Sequence, residues 1–341
     1  MSRIRPTALR LAAVAAAITA IVGTVAGCSS SSDTAGGSAA PSTAPGSVII
    51  GAVSNGAAEQ TTLQVAQVDK IRAELPAPIR DSGQLVVGLG LLPSGSPPLG
   101  YTGADEQTLT GSEPDLGRLV AAVFGLKPVL QNATWDNLFV GLDSGRTNVG
   151  ISNITDTEQR KDKYDFACYR QDNLGFETLK KSTWNFDGNY QNLAGKTIAV
   201  DSGTNQEKVL LAWQEKLKSE GKSLDIRYFA DHNSTTLALD SAKIDAYFEP
   251  NPSVSYHVRQ TASGPNPTRD AGTYSGAGAT LQGLICATTK KNDGLVKPLS
   301  DAINYLIANG RYAKWLKAWN LSNEAVPTSQ INPPGLPRTN S

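Results

Sequence analysis

From residue 84 to residue 319 short apolar runs alternate with stretches of helical period, and this alternation limits the fold more than any other feature. Gln84 to Leu89 reads as a buried strand, followed by a Gly/Pro/Ser loop from Pro93 to Pro98. Pro114 to Phe124 places Leu116, Leu119, Val120 and Val123 on one helical face, with Gly125 as a stop. Lys127 to Leu130 is a second strand, Trp135 to Leu142 a helical turn or two, and Asn148 to Ser152 a third strand. The order repeats with strand Thr197 to Asp201 and helix Gln206 to Lys218, then strand Ile226 to Phe229, a helix near Ser234 to Ser241, and strand Ala246 to Phe248. Leu295 to Ile307 and Tyr312 to Trp319 close the series as helices. Such an order predicts an α/β protein with mixed, mainly parallel sheets flanked by helices. Ligands of such sheets bind at the carboxyl ends of the strands.

The N-terminus has a different character. Arg3, Arg5 and Arg10 precede an uncharged apolar run from Leu11 to Ala26, and Val25-Ala26-Gly27-Cys28 ends it. A secretory signal has this order of parts. The run of about 16 residues is shorter than the roughly 20 a spanning helix needs. Val-Ala-Gly-Cys resembles the bacterial lipobox, which implies a signal peptide at 1–27 and a membrane anchor through lipidated (palmitate-type) Cys28. An ordinary signal peptide or a short anchor helix is the plainer alternative. The Ser29 to Ser32 run and the Gly/Ser/Ala/Pro stretch to Gly46 cannot bury a core and read as a flexible tether. Residues 28–81 are thus expected to be anchor, tether and preamble, with a helix from Thr61 to Leu75 that Pro76 and Pro78 end.

The chain carries 31 basic and 31 acidic residues. Residues 1–27 hold three arginines and no acid, so 28 basic against 31 acidic residues remain without them, a net charge near −3. That balance argues against nucleic acid as a partner. Beyond Cys28 only Cys168 and Cys286 remain, and outside the cytoplasm an even pair is expected to form a disulfide. The only histidines, His232 and His257, lack ligand spacing to the cysteines, so no metal is expected and they read as surface or packing residues. A Ser-His-Asp or Cys-His hydrolase finds little support for the same reason. Nothing points to a cofactor.

Two segments read as capped helix starts at strand ends. Thr155-Asp156-Thr157-Glu158 follows the strand ending at Ser152, and Thr204-Asn205-Gln206-Glu207 follows the one ending at Asp201. Helix N-termini offer free N–H groups and partial positive charge, which suits a carboxylate. Arg160, expected in the second turn of the first such helix, could meet a carboxylate bidentately.

From Gly83 to Trp319 the sequence resembles the extracellular solute-binding proteins of amino-acid ABC importers. Gln84 to Gly88, Pro97-Pro98-Leu99-Gly100-Tyr101, Trp135 to Gly145, Thr155 to Arg160 with Phe166-Ala167-Cys168-Tyr169, Ser202-Gly203-Thr204 and Asn309-Gly310-Arg311-Tyr312 resemble that family's segments in order. The resemblance implies a two-lobed periplasmic-binding-protein fold joined by two hinge strands. Lobe 1 would be 82–170 plus 284–327, lobe 2 would be 171–283, and 328–341 a flexible tail. It also implies that Arg160 grips a ligand α-carboxylate beside the Thr155 hydroxyl, that the Asn153 carbonyl accepts the ammonium, and that Asn205, next to Thr204, donates from the other lobe. Trp135 would be an aromatic wall, or else a core tryptophan. Where the family places an acid for the ammonium this chain has Pro250; the adjacent Glu249, read as an exposed loop acid, is the substitute. The lidding aromatic falls near Ser96, with Tyr101 as the one compensating candidate. Cys168 and Cys286 flank the two expected hinge crossings, so their disulfide would brace the hinge.

The function so implied is a lipid-anchored substrate-binding component of an ABC importer, without catalysis, that delivers an amino acid or similar small carboxylate to a permease. A dehydratase-like enzyme on the same fold, with Glu249 as its acid, is one alternative. A ligand sensor for a membrane kinase is the other.

Overall fold

The computed structural model describes residues 46–339. The signal segment 1–27, Cys28 and nearly all of the tether lie outside the described residues, as do residues 340 and 341.

One strand organises the molecule. Tyr164–Leu179 is 16 residues long and pairs with different partners along its two halves. Tyr164 to Asp172 runs antiparallel to Gly283–Lys290, whereas Asn173 to Leu179 runs antiparallel to Thr268–Ser275, and Leu174 to Glu177 to Ala246–Pro250. The changeover between Asp172 and Asn173 divides a nine-stranded sheet into two halves. Toward one edge follow Val149–Gly150, Gln84–Leu92 and Lys127–Thr134; toward the other, Ala246–Pro250, Thr197–Ala199 and Asp225–Arg227. Gln84–Leu92 pairs parallel with both its neighbours, and so does Thr197–Ala199 with its own. The sheet is therefore parallel on its flanks and antiparallel around the crossing.

Each half has its own core. Leu85, Val87, Leu116, Leu119, Trp315 and Trp319 belong to the first. Leu174, Phe176, Phe186, Leu210, Trp213 and Phe248 belong to the second. Helix Ser112–Phe124 faces Leu116, Leu119, Val120 and Val123 into the first core and ends at Gly125, whose φ of 61° is a left-handed conformation that glycine adopts without strain. Full burial of each such side chain is worth about 1.5–3 kcal/mol. A smaller cluster of Leu138, Leu142, Ile154 and Phe166 surrounds the disulfide between Cys168 and Cys286, which joins paired residues of the crossing strands.

Three expectations need correction. Residues 61–75 are not one helix: Thr61–Gln64 is a strand paired with Ser47–Ile50, and only Asp69–Ala73 is helical. Buried Leu63 and Val65 alternate with exposed Thr62 and Gln64, a period of two that outranks the weaker helical one. No helix begins at Thr155. Thr155 and Thr157 form isolated bridges to Ile285 and Leu336, and only a 3₁₀ turn, Arg160–Asp162, follows. The segment from 328 to 339 is packed rather than flexible. Ile331 bridges Ala167, Gln330 accepts from the Cys168 N–H at 2.9 Å, and Leu336 is fully buried in the second core. Among the described residues no helix is long and apolar enough to cross a membrane.

Candidate ligand-binding site

A cavity of about 250 Å³ lies between the two halves. Its walls are strand ends, as the α/β pattern predicts. Gly90 to Leu92 close strand Gln84–Leu92, Ser152 and Asn153 follow Val149–Gly150, Asp201 and Ser202 follow Thr197–Ala199, and Phe229 to His232 follow Asp225–Arg227. Contacts between the halves cover it. The Trp135 indole Nε1 donates to the Gly203 carbonyl at 3.1 Å, the His232 N–H donates to Ser94 Oγ at 3.2 Å, and the Ser96 and Ser253 hydroxyls meet at 2.8 Å.

Trp135, Asn153, Thr204 and Asn205 all line this cavity. Thr204 caps helix Asn205–Ser219: its hydroxyl accepts from the Glu207 N–H at 3.2 Å and donates to the Asp201 carbonyl at 2.7 Å. The second expected helix start is therefore real. Asn153 takes a φ of 52°, a region asparagine tolerates, and its N–H donates to Glu113 Oε2 at 3.0 Å. Its side chain accepts from Arg170.

Thr155 and Asn205 converge, but on a protein carboxylate. The Thr155 hydroxyl donates to Asp172 Oδ2 at 2.7 Å, and the Asn205 amide donates to the same oxygen at 3.1 Å. Burial pushes the Asp172 carboxyl up, against the pull of Thr155 and of the Arg170 and Arg160 cations. Asp172 sits at the strand changeover and was not anticipated; nothing near it in sequence marks it.

Arg160 lies against Trp135 and outside the lining of this cavity. Its guanidinium stands 5.4 Å from the Trp135 ring centre and 5.3 Å from that of Phe139, and donates to the carbonyls of Thr155 at 3.0 Å and Gly203 at 3.3 Å. Desolvation lowers its pKa to about 10, which leaves it charged at neutral pH. It lines a second, more open groove of about 590 Å³ that shares Thr204 and Asn205 with the first cavity.

Glu249 is not an exposed loop acid. It lies on strand Ala246–Pro250, is 1% exposed, and faces His257 outside the cavity lining. Pro250 does line the cavity, as does Ser96. Tyr101 is buried, and its hydroxyl donates to the Ser54 carbonyl, so it holds the preamble and lies outside the cavity lining. The acids that do line the cavity are Glu113, Asp201 and Asp231, together with Phe229 and Tyr247. Asp201 accepts from the Tyr247 hydroxyl at 2.9 Å, and burial raises its pKa. An acid at a strand end just before Gly203-Thr204 was a legible signal for it. Glu113 is held by Arg170 across 57 residues, which left no local sign.

The L-cystine-binding protein TcyJ of Escherichia coli (strain K12) is 28% identical over 242 residues, covering 71% of this chain and 84% of that protein. A crystal structure of a mutant ArgBP from T. maritima matches at a TM-score of 0.59 and 22% identity, covering 71% of this chain and 97% of that one. The arginine-, lysine-, histidine-binding protein ArtJ from Geobacillus stearothermophilus matches at 0.58 and 24%, covering 69% and 94%. These structures share its two-lobed fold. Residues 90–322 match the profile of one family over more than half of the chain, and the chain belongs to it: the bacterial extracellular solute-binding proteins, family 3.

Proposed function

We propose that this chain is the membrane-anchored substrate-binding component of an ABC importer, which captures an amino acid or similar small carboxylate between its lobes and delivers it to a permease. The supporting observation is the cavity at the strand ends, lined from both halves and covered by contacts between them. In this reading the lobes are 82–170 with 284–327, and 171–283, and the Cys168–Cys286 bridge braces their junction. Lobe closure around a ligand is the usual motion of such folds. Trp135 walls the cavity, Thr155 and Asn205 turn their donors from Asp172 to the carboxylate, the helix start at Thr204 adds backbone N–H groups, and Arg160 reaches it through the adjoining groove. Asn153 and Asp201 take the ammonium, with Asp201 standing in for the acid that Pro250 replaces. The reading is a binder rather than an enzyme: Glu249, the acid a dehydratase-like reaction would use, lies outside the cavity lining. Cys28 carries the lipid, and Cys28→Ala should release the protein from the membrane fraction.

Calorimetry of residues 29–341 against amino acids tests the proposal. Cystine, arginine, lysine and histidine come first, since the similar proteins are named for them. Micromolar or tighter binding that Arg160→Ala weakens by about 10-fold or more supports it, as expected for hydrogen bonds to a charged group. Wild-type affinity in that variant sinks the role of Arg160, and no binding to any amino acid sinks the ligand class.

A further inference from the structure

The chain has two histidines, and the fold stacks them. The rings of His232 and His257 lie with their centres 4.2 Å apart. They come from separate helices, His232–Asp240 and Asn251–Thr261. Two carboxylates from adjacent antiparallel strands meet His257. Glu177 stands opposite Tyr247, and Glu249 lies two residues beyond Tyr247, so the period of two puts both acids on one face of the sheet. Glu177 is 4% exposed and Glu249 1%. His257 Nδ1 is 3.4 Å from Glu177 Oε2 and 3.4 Å from Glu249 Oε1. His257 Nδ1 and Glu249 Oε1 are both buried, and neither makes a hydrogen bond beyond these 3.4 Å ion pairs.

We propose that this cluster binds a divalent transition cation of the zinc class, with His232, His257 and Glu249 as ligands and Glu177 as the fourth. One donor atom from each of the first three already lies within 4.8 Å of the others. Ligands at about 2.0–2.2 Å in a tetrahedron stand roughly 3.3–3.6 Å from one another, and the 3.4 Å separations around His257 fall in that range. Two imidazoles and two carboxylates suit zinc, cobalt and nickel, and do not suit the all-oxygen cations. Without an ion, His257 Nδ1 meets the two carboxylates only as ion pairs at 3.4 Å, and a cation would take the place of the imidazolium proton those pairs need. His232 lines the ligand cavity, which gives the ion a route in. A bound ion would also tie that cavity wall to the long strand through Glu177. Sequence patterns gave no metal signature, because one pair of ligands comes from two helices and the other from two strands.

The test uses the mature lipidated chain in detergent, stripped with EDTA and free of any histidine tag. Zn²⁺ is titrated against a chromophoric chelator, and Co²⁺ is followed by its visible absorption. One equivalent of each ion is expected, with the intense bands of four-coordinate cobalt. His257→Ala and Glu249→Gln should weaken binding by at least the roughly 10- to 100-fold that loss of even an outer-shell partner costs. His232→Ala, at the cavity wall, serves if either buried variant fails to fold by circular dichroism. Absence of one-to-one binding in the folded wild type overturns the proposal. So does binding that the folded variants leave unchanged.

Discussion

Asn205 donates to Asp172 Oδ2 at 3.1 Å, and Thr155 reaches the same oxygen at 2.7 Å from the other half of the molecule. The carboxylate of Asp172 thus occupies the two donors that the proposed site would offer a ligand carboxylate. Like charges about 4 Å apart repel by about 4 kcal/mol at an effective dielectric near 20. Asp172→Ala removes both the competitor and the repulsion. Its affinity for a carboxylate-bearing amino acid should rise about 10-fold by calorimetry, roughly 1.4 kcal/mol. An unchanged Kd would place the ligand carboxylate elsewhere, with the Arg160 groove as the next candidate.

Asp201 makes the complementary case for the ligand's positive end. It lines the cavity, and its hydrogen-bond partner is the Tyr247 hydroxyl, which donates to one carboxylate oxygen. Hydrogen bonds to charged groups contribute about 1.5–3 kcal/mol, so Asp201→Asn should weaken binding of an amino acid roughly 10- to 150-fold. The N-acetylated amino acid, which lacks the cation, should bind both proteins equally. Equal losses for both ligands would assign Asp201 a structural role instead.

Arg170 decides how firmly the crossing is held. Its guanidinium is fully buried, pairs with Glu113 at 3.2 Å and with Glu324, and also donates to Asn153. Desolvation alone would lower its pKa, but Glu324 and Glu113 together raise it above the usual value. Arg170→Ala strands two buried carboxylates, and breaking such a network costs about 3–5 kcal/mol. Urea denaturation should show that loss. In the Arg170→Ala background, adding Glu113→Gln and Glu324→Gln should recover part of it. A loss under 1 kcal/mol would contradict the network's role.

The local features of this chain were legible and the convergent ones were not. Leu116, Leu119, Val120 and Val123 announce their helix because the period of a helix is written in neighbouring residues. Thr204 announces its cap for the same reason. Thr155 carries the same Thr-x-x-Glu pattern, yet its hydroxyl bonds Asp172, 17 residues away, and the helix does not form. Tertiary partners outranked local preference there. Glu249 sits beside Pro250 and so read as a loop acid, but pairing with the long strand buries it. The stretch around Pro333, Pro334 and Gly335 does lack regular structure, as its composition suggests. Irregular backbone is not loose backbone, however, since Leu336 beyond it is buried in a core.

Asp156 should make stability depend on pH in the less usual direction. Its side chain is buried close to the Cys168–Cys286 bridge. Burial lifts its pKa from 3.8 to about 7, and the Lys161 ammonium, 3.3 Å away, offsets this only in part because it also serves Glu158 and the Pro333 carbonyl. A folded-state pKa above the unfolded one means that the folded form binds the proton more tightly. The contribution is therefore fully present below pH 4 and is lost as pH rises through 7. A shift of about three units corresponds to up to about 4 kcal/mol. Asp156→Asn removes the titration. Relative to wild type its stability advantage in urea denaturation should grow steadily from about pH 4 to pH 7 and level off by pH 8. If the difference between the two proteins stays flat across that window, Asp156 is ionised at an ordinary pKa and burial does not govern it.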